Sequence, residues 1–255
     1  MKLKKNVKIL FIVIVLLGIA ITTVYITGRN SVCKKVELTF SDTQDGKFID
    51  STILMKIIRD EYGSLIGRKI NEINIGEIEE VINKLPLVKK SEVYKNAQGV
   101  IFIEVNERTP LFRVMSNNGK SMYVDTDGFL IPISKKTPAR VIVTGGHISL
   151  PDTLNENNQT IDSTLFLREI FDLVNFINKD EFMNAQFQQI YITENSNFLL
   201  IPRIGNHQII LGSTENYKAK LNRLQYFYMN IIGKKGWNTY QELDLSIDNQ
   251  IVARK

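Results

Sequence analysis

The chain has 255 residues, 44% hydrophobic and 23% charged, which is ordinary for a folded protein and enough for one large domain or two small ones. Its formal charge of +5 is scattered among nearly as many acids, and no basic run is interleaved with aromatics, which argues against nucleic-acid binding. A single cysteine, Cys33, excludes an intramolecular disulfide framework and a cysteine-rich zinc site, so packing must hold the fold.

Residues 9–28 read ILFIVIVLLGIAITTVYITG, with no charged side chain. A helix of about 20 residues rises roughly 30 Å, the thickness of a bilayer's hydrocarbon core. Tyr25 stands near the outer end, where an amphipathic ring suits the interface. Lys2, Lys4, Lys5 and Lys8 precede the run, and Arg29, Lys34 and Lys35 follow it. The denser first cluster places residues 1–8 in the cytoplasm and the rest of the chain outside. A cleaved signal peptide is the first alternative, but the run is long for one and no A-x-A-like site follows. A lipoprotein site at Cys33 is the second, but Asn30-Ser31-Val32 lacks the apolar and small residues it requires. The expectation is a retained single-span anchor.

Val36–Phe40 alternates as a strand should. Asp50 and Ser51 then stand at the N-cap of a helix whose Ile53, Ile57 and Ile58 form one face, stopped by Gly63. Asn74, with Glu77 three residues on, opens a second helix with an Ile75, Ile78, Ile82 and Leu85 stripe, ended by Pro86. Strands over Val88–Tyr94 and Val100–Glu107 complete a β-α-α-β-β order.

The stretch LPLVKKSEVYKNAQGVIFIEVNERTPLFRV resembles the end of a POTRA domain running into the second domain of the cell-division proteins FtsQ, also called DivIB. Glu107, Arg108 and Pro110 stand where that family has an acid-Arg-x-Pro element. The implied fold class is α+β: a single transmembrane helix over 9–28, a POTRA domain over 36–107 and a mixed, β-rich domain over 108–255.

Within SMYVDTDGFLIPI, Asp125, Asp127 and Gly128 suggest the start of a calcium loop. An EF-hand loop needs glycine at position six and a bidentate Glu at twelve. Here the glycine comes at position four and Lys136 takes the twelfth place. Met122-Tyr123-Val124 and Phe129-Leu130-Ile131 instead pair as a hairpin across Asp-Thr-Asp-Gly, so no ion is needed. On this reading Asp125→Asn should cost little, because Asn makes the same turn bonds. The family's tyrosine-valine-aspartate-x-x-glycine hairpin resembles YVDTDG here.

ARVIVTG reads as the next strand, and residues 161–178 as a helix with Leu165, Phe166, Ile170, Leu173, Val174 and Ile177 inward. Residues 190–212 read as a three-stranded meander. A helix capped by Thr214 follows, with Tyr217, Leu221, Leu224 and Tyr228 in its stripe and Gly233 at its end. The closing YQELDLSIDNQIVARK alternates through Leu243, Leu245 and Ile247. Its Asp244-Leu245 resembles the aspartate-leucine pair of the family's final strand.

No G-x-S-x-G elbow, H-E-x-x-H motif or phosphate loop appears, and His147 and His207 lie far apart. The Asn158-Gln159-Thr160 glycosylation pattern is set aside, since the anchor and the resemblance indicate a bacterial envelope. Two function classes stay open at this point. One is a membrane-anchored cell-envelope enzyme with a carboxylate site. The other, which the resemblance implies, is a non-enzymatic division scaffold at the septum that binds FtsB-like and FtsL-like proteins, with no cofactor, metal, nucleic acid or small-molecule substrate. A strand at a sheet's edge can accept an extended peptide. Periodicity alone leaves open whether the closing strand is such an edge or merely completes the sheet, covered by the chain itself. The resemblance implies the open edge, since that family's terminal strand region engages FtsB, so the expected partner contact is Leu245 and Ile247, with Val252 beyond the turn, shaped by Trp237 and Tyr240.

Overall fold

A computed structural model describes residues 10–19, 31–41, 48–133, 138–151, 160–163 and 166–255, in two units divided between Glu107 and Arg108. Residues 10–19 are helical (α1), and their large apolar side chains are exposed. Among the described residues no helix is long and apolar enough to cross a membrane. The expected span over 9–28 therefore lies partly outside the described residues.

In the first unit, β1 (Lys35–Phe40), α2 (Ser51–Glu61), α3 (Ile75–Asn83), β2 (Val88–Lys95) and β3 (Val100–Glu107) follow one another. The sheet order is β1-β3-β2, with β1 parallel and β2 antiparallel to β3. Asp50 caps α2 by accepting from the Thr52 and Ile53 amides, and Gly63, at φ 107°, ends it with a bond to the Ile58 carbonyl. The buried pair on α2 is Leu54 and Ile58, at i and i+4. Ile53, expected to face inward, is exposed. Asn74 caps α3 through the Gly76 amide, but Glu77 meets the Asn74 side-chain amide at 2.8 Å instead of its backbone. The backbone donor is already taken by the Tyr62 hydroxyl, 2.7 Å away. At the end of β3 the buried Glu107 carboxylate accepts from the Phe48 and Ile49 amides, at 3.3 and 2.6 Å. This pins the segment that leads into α2.

The second unit contains β4 (Pro110–Met115), β5 (Ser121–Asp125), β6 (Leu130–Pro132), β7 (Ile142–Gly146), α4 (Leu167–Asn178), α5 (Glu181–Gln186), β8 (Phe187–Ile192), β9 (Phe198–Pro202) and β10 (Gln208–Gly212). Then come α6 (Tyr217–Phe227), a π-helical stretch (Tyr228–Ile232), α7 (Gly233–Lys235), β11 (Glu242–Asp244) and β12 (Val252–Arg254). These strands form a nine-stranded sheet in the order β12-β11-β10-β9-β8-β7-β4-β5-β6. The inward stripes of α4 (Ile170, Leu173, Val174, Ile177) and α6 (Leu221, Leu224) share one core with Phe112, Ile190, Leu200 and Ile209 of the strands. The meander β8–β9–β10 is antiparallel throughout, as the turn residues lead one to expect.

The Asp125 hairpin joins β5 to β6, pairing Tyr123 with Ile131 and Val124 with Leu130. Asp125 is fully buried, and its Oδ1 accepts from the Asp127 and Phe129 amides at 2.9 and 2.7 Å. Its Oδ2 accepts from Arg108 at 2.7 Å. The carboxylate thus holds the turn and neutralises a guanidinium.

Several expected boundaries shift. The helix over 161–178 starts at Leu167, because Phe166 takes a left-handed φ of 69°, while Ile161–Ser163 forms a separate 3-10 turn. Leu165 lies outside the described residues. Thr214 does not cap α6 through its side chain: its hydroxyl donates to Glu169 at 2.6 Å, and Asn216 precedes the helix. The helical run passes Gly233 and stops at Gly236, at φ 99°. Buried Lys220 interrupts the apolar stripe of α6, donating to the Leu211 and Ser213 carbonyls at 3.1 and 2.9 Å; burial pushes its pKa down.

Candidate functional site

The C-terminal end of the large sheet is built from the last two strands. β11 lies between β10, to which it runs parallel, and β12, to which it runs antiparallel. The edge is therefore β12, three residues long, and not the Leu243–Ile247 run expected from alternation. Among the described strands only β11 pairs with β12. Its outer backbone groups face away from the sheet, as a template for a further strand.

Asp244 explains why β11 is short. Its carboxylate accepts from the Ser246 amide and hydroxyl, at 2.9 and 2.6 Å, turning the chain out of the strand. Leu245 meanwhile donates its amide to the Ile210 carbonyl at 2.8 Å and sinks its side chain into the core, 0% exposed. Leu245, expected at the partner contact, is thus buried in this chain and anchors the turn. Ile247, two residues on, is 41% exposed. Val252 begins the edge strand, half-buried, opposite Asp244.

Arg254 clamps β12 onto β11, pairing with Glu242 and lying 3.6 Å from Asp244. Both Arg254 and Glu242 remain partly open to solvent. Gln208 of β10 reaches the same Glu242 at 3.5 Å, so this small polar ladder crosses three strands.

The two expected aromatics sit behind the edge. Tyr240 is half-buried, its ring 5.8 Å from that of Phe227. Trp237, also half-buried, lies 5.5 Å from Tyr228. Tyr228 in turn bonds its hydroxyl to His207 Nε2 at 2.8 Å, and both are buried. Burial lowers the His207 pKa, opposed more weakly by the Trp237 carbonyl nearby, which makes no well-aligned bond to Nδ1. Burial also raises the Tyr228 phenol above its ordinary range. The aromatics thus tie the segment after α7 to the core, and His207 is a packed, hydrogen-bonded residue. The structure places Ile247 between β11 and β12 and Val252 on β12, with Trp237 and Tyr240 in the segment that leads into β11, and buries Leu245. Arg254, which the alternation pattern did not single out, belongs to the same region. A positive charge facing two acids across an antiparallel pair was its available signal.

A hollow of about 400 Å³ opens where β4, β7 and β8 end, lined by residues including Ser116, His147, Tyr191 and Glu194. It brings a single carboxylate, Glu194, into its wall. Among the described residues no group of three or more His, Cys, Asp or Glu side chains converges to hold a metal ion.

Comparison with known proteins matches each unit. Residues 31–106 match a POTRA-like domain model, in accord with the β-α-α-β-β order and the β1-β3-β2 sheet. No curated protein matches the chain. Residues 109–254, more than half of the chain, match the model described as FtsQ/DivIB, C-terminal related, and the chain belongs to the FtsQ/DivIB family.

Proposed function

We propose that the protein is a non-enzymatic scaffold of bacterial cell division. It binds FtsB-like and FtsL-like proteins outside the cytoplasmic membrane and helps couple division to septal wall synthesis. The observation that carries this reading is the open β12 edge, which falls within the stretch matching the FtsQ/DivIB model. An extended partner segment adds to β12 through backbone bonds, which give affinity, while Ile247 and Val252 supply apolar contact. Trp237 and Tyr240 shape the contact from behind, and Leu245 holds the turn.

In this reading residues 9–28 are a retained single-span anchor in the cytoplasmic membrane at the septum. Residues 1–8 stay in the cytoplasm, and the domains over 36–107 and 108–255 lie outside. The exposed apolar side chains of α1, between 43% and 67% accessible, support it, because lipid is the medium that suits them.

Ile247→Asp is the test. The side chain is exposed, so an added charge there leaves the fold intact, while a charge at an apolar contact is costly. The full-length variant should keep its unfolding midpoint and lose co-purification of the FtsB-like protein. A folded variant that recovers this partner at wild-type levels sinks the edge-strand mechanism.

A further inference from the structure

Beside the β12 edge, an open groove of about 520 Å³ runs between α6, the π-helical stretch and the C-terminal segment. Its apolar wall includes Tyr226, Phe227, Ile231 and Ile251, with the cation Arg223 among them. No carboxylate lines it. Arg223 Nε is buried without a hydrogen-bond partner, and among the described residues the guanidinium forms no ion pair. Asp248, the acid nearest to the groove in sequence, acts on Lys220 and makes no ion pair with Arg223. A buried donor left unpaired is destabilising, and a guanidinium set in an apolar wall is a fork for a carboxylate. Ile251 lines the groove and Val252 opens the edge strand, so groove and edge are continuous.

We infer that the groove takes a Glu or Asp side chain of the partner, flanked by apolar residues, and that Arg223 closes on its carboxylate. This rests on the edge-strand reading and deepens it. The strand pairing with β12 contributes backbone bonds, and the adjoining partner segment supplies the acid. Selection then favours partners whose apolar run carries one acid at the right distance from the paired strand, since an apolar side chain leaves Arg223 Nε without an acceptor and a neutral polar one leaves its charge unpaired.

The test uses the full chain and the purified FtsB-like protein, with the dissociation constant measured across salt concentrations. Arg223→Gln should weaken binding at least about tenfold and flatten its salt dependence. Arg223→Lys should recover part of the loss, because it restores the charge without the fork. Neutralising each partner acid in turn should reveal one whose loss adds nothing in the Arg223→Gln background. Should Arg223→Gln lower the melting temperature, Arg223→Lys and the partner variants decide between a lost contact and a damaged fold. Wild-type affinity in Arg223→Gln, with binding still lost in Ile247→Asp, overturns the groove and leaves the edge standing. Binding lost in Arg223→Gln but kept in Ile247→Asp overturns the edge, and with it the coupling of a groove-bound acid to a strand paired with β12. A wild-type chain that fails to bind this partner at all overturns both.

Discussion

At one end of the nine-stranded sheet, β6 is a three-residue strand locked by buried polar chemistry; at the other, β12 is equally short but held by ion pairs whose cation, Arg254, is open to solvent. The β6 end is tied by Asp125, which is fully buried, and by Arg108, whose guanidinium also lies 4.1 Å over the Phe129 ring. The Ile161 amide bonds the Gly128 carbonyl at 2.9 Å, and Phe129 bridges to Thr160, so more chain lies against this end. Nothing comparable ties down β12 among the described residues. A short edge strand is a common protection against unwanted pairing, and both ends have that much. The difference lies in burial. A charge pair removed from water is costly to break, whereas an exposed one gives way easily. On the proposed reading, the loosely held end is the one that admits a partner strand.

Removing the buried carboxylate is the most damaging way to probe this difference. Asp125→Ala strips two turn amides and Arg108 of their acceptor, and should cost about 3–5 kcal/mol, read as a drop in the urea midpoint. Asp125→Asn, harmless on the turn argument alone, should cost about 2 kcal/mol. Its oxygen can keep the turn, but its amide then presents hydrogens to Arg108. A midpoint unchanged in Asp125→Asn would mean that the ion pair contributes nothing and the two ends do not differ.

Gly128 tests the same end sterically. At φ 84° a side chain is strained, and a Cβ would lie 3.1 Å from Ile161 Cδ1. Gly128→Val should therefore cost about 2–3 kcal/mol in the same measurement, and Gly128→Ala about 1. Equal stability of all three proteins would show that the hairpin relaxes freely.

What could be read from the sequence depended on how local the cause was. The hairpin, the Asp50 and Asn74 caps, the β8–β10 meander and the stripes of α3 and α4 depend on residues a few positions apart, and they were legible. The Arg108–Asp125 pair, 17 residues apart, was not. The α4 boundary was missed because Phe166 is as apolar as its neighbours, and periodicity cannot register a left-handed backbone. The burial of Leu245 is illegible for the opposite reason. Alternation placed it correctly on one face, but that face is the core, and a single strand does not reveal which side of the sheet is covered. The closing segment was thus legible as sheet-forming, while the depth at which each of its residues sits was not.

Behind the open edge, the His207–Tyr228 pair should make the second unit sensitive to acid. Folding holds the imidazole pKa below its ordinary value, so near pH 6.5 the unfolded chain takes up a proton that the folded one refuses. Stability is therefore complete above about pH 6.5 and falls as pH drops through it, by at most about 1.4 kcal/mol per pH unit. Tyr228→Phe should cost about 1–2 kcal/mol at neutral pH, by leaving Nε2 without its partner. Urea midpoints between pH 7.5 and 5.5 measure both effects, and His207→Gln should flatten the slope. A slope that persists in that variant must come from other groups.

The smallest expected effect concerns the clamp on β12 itself. Arg254 pairs with Glu242 and Asp244, but its side chain is 55% exposed, so water and salt compete for every bond it makes. Such pairs contribute about 0–1 kcal/mol, and Arg254→Ala should shift the urea midpoint by no more than that. Raising the salt to about 1 M should erase most of the shift, since the screening length then falls to about 3 Å. Local behaviour should differ from the global number. With the clamp gone, the amides of β12 should exchange with deuterium faster than in the wild type, while those of β6 at the far end keep their protection. That contrast is the sharpest form of the comparison, because one substitution is read at both ends of the same sheet. If β12 exchanges no faster in Arg254→Ala, the strand is held by its backbone pairing with β11 and not by its charges. The openness of this edge would then rest on its missing neighbour alone.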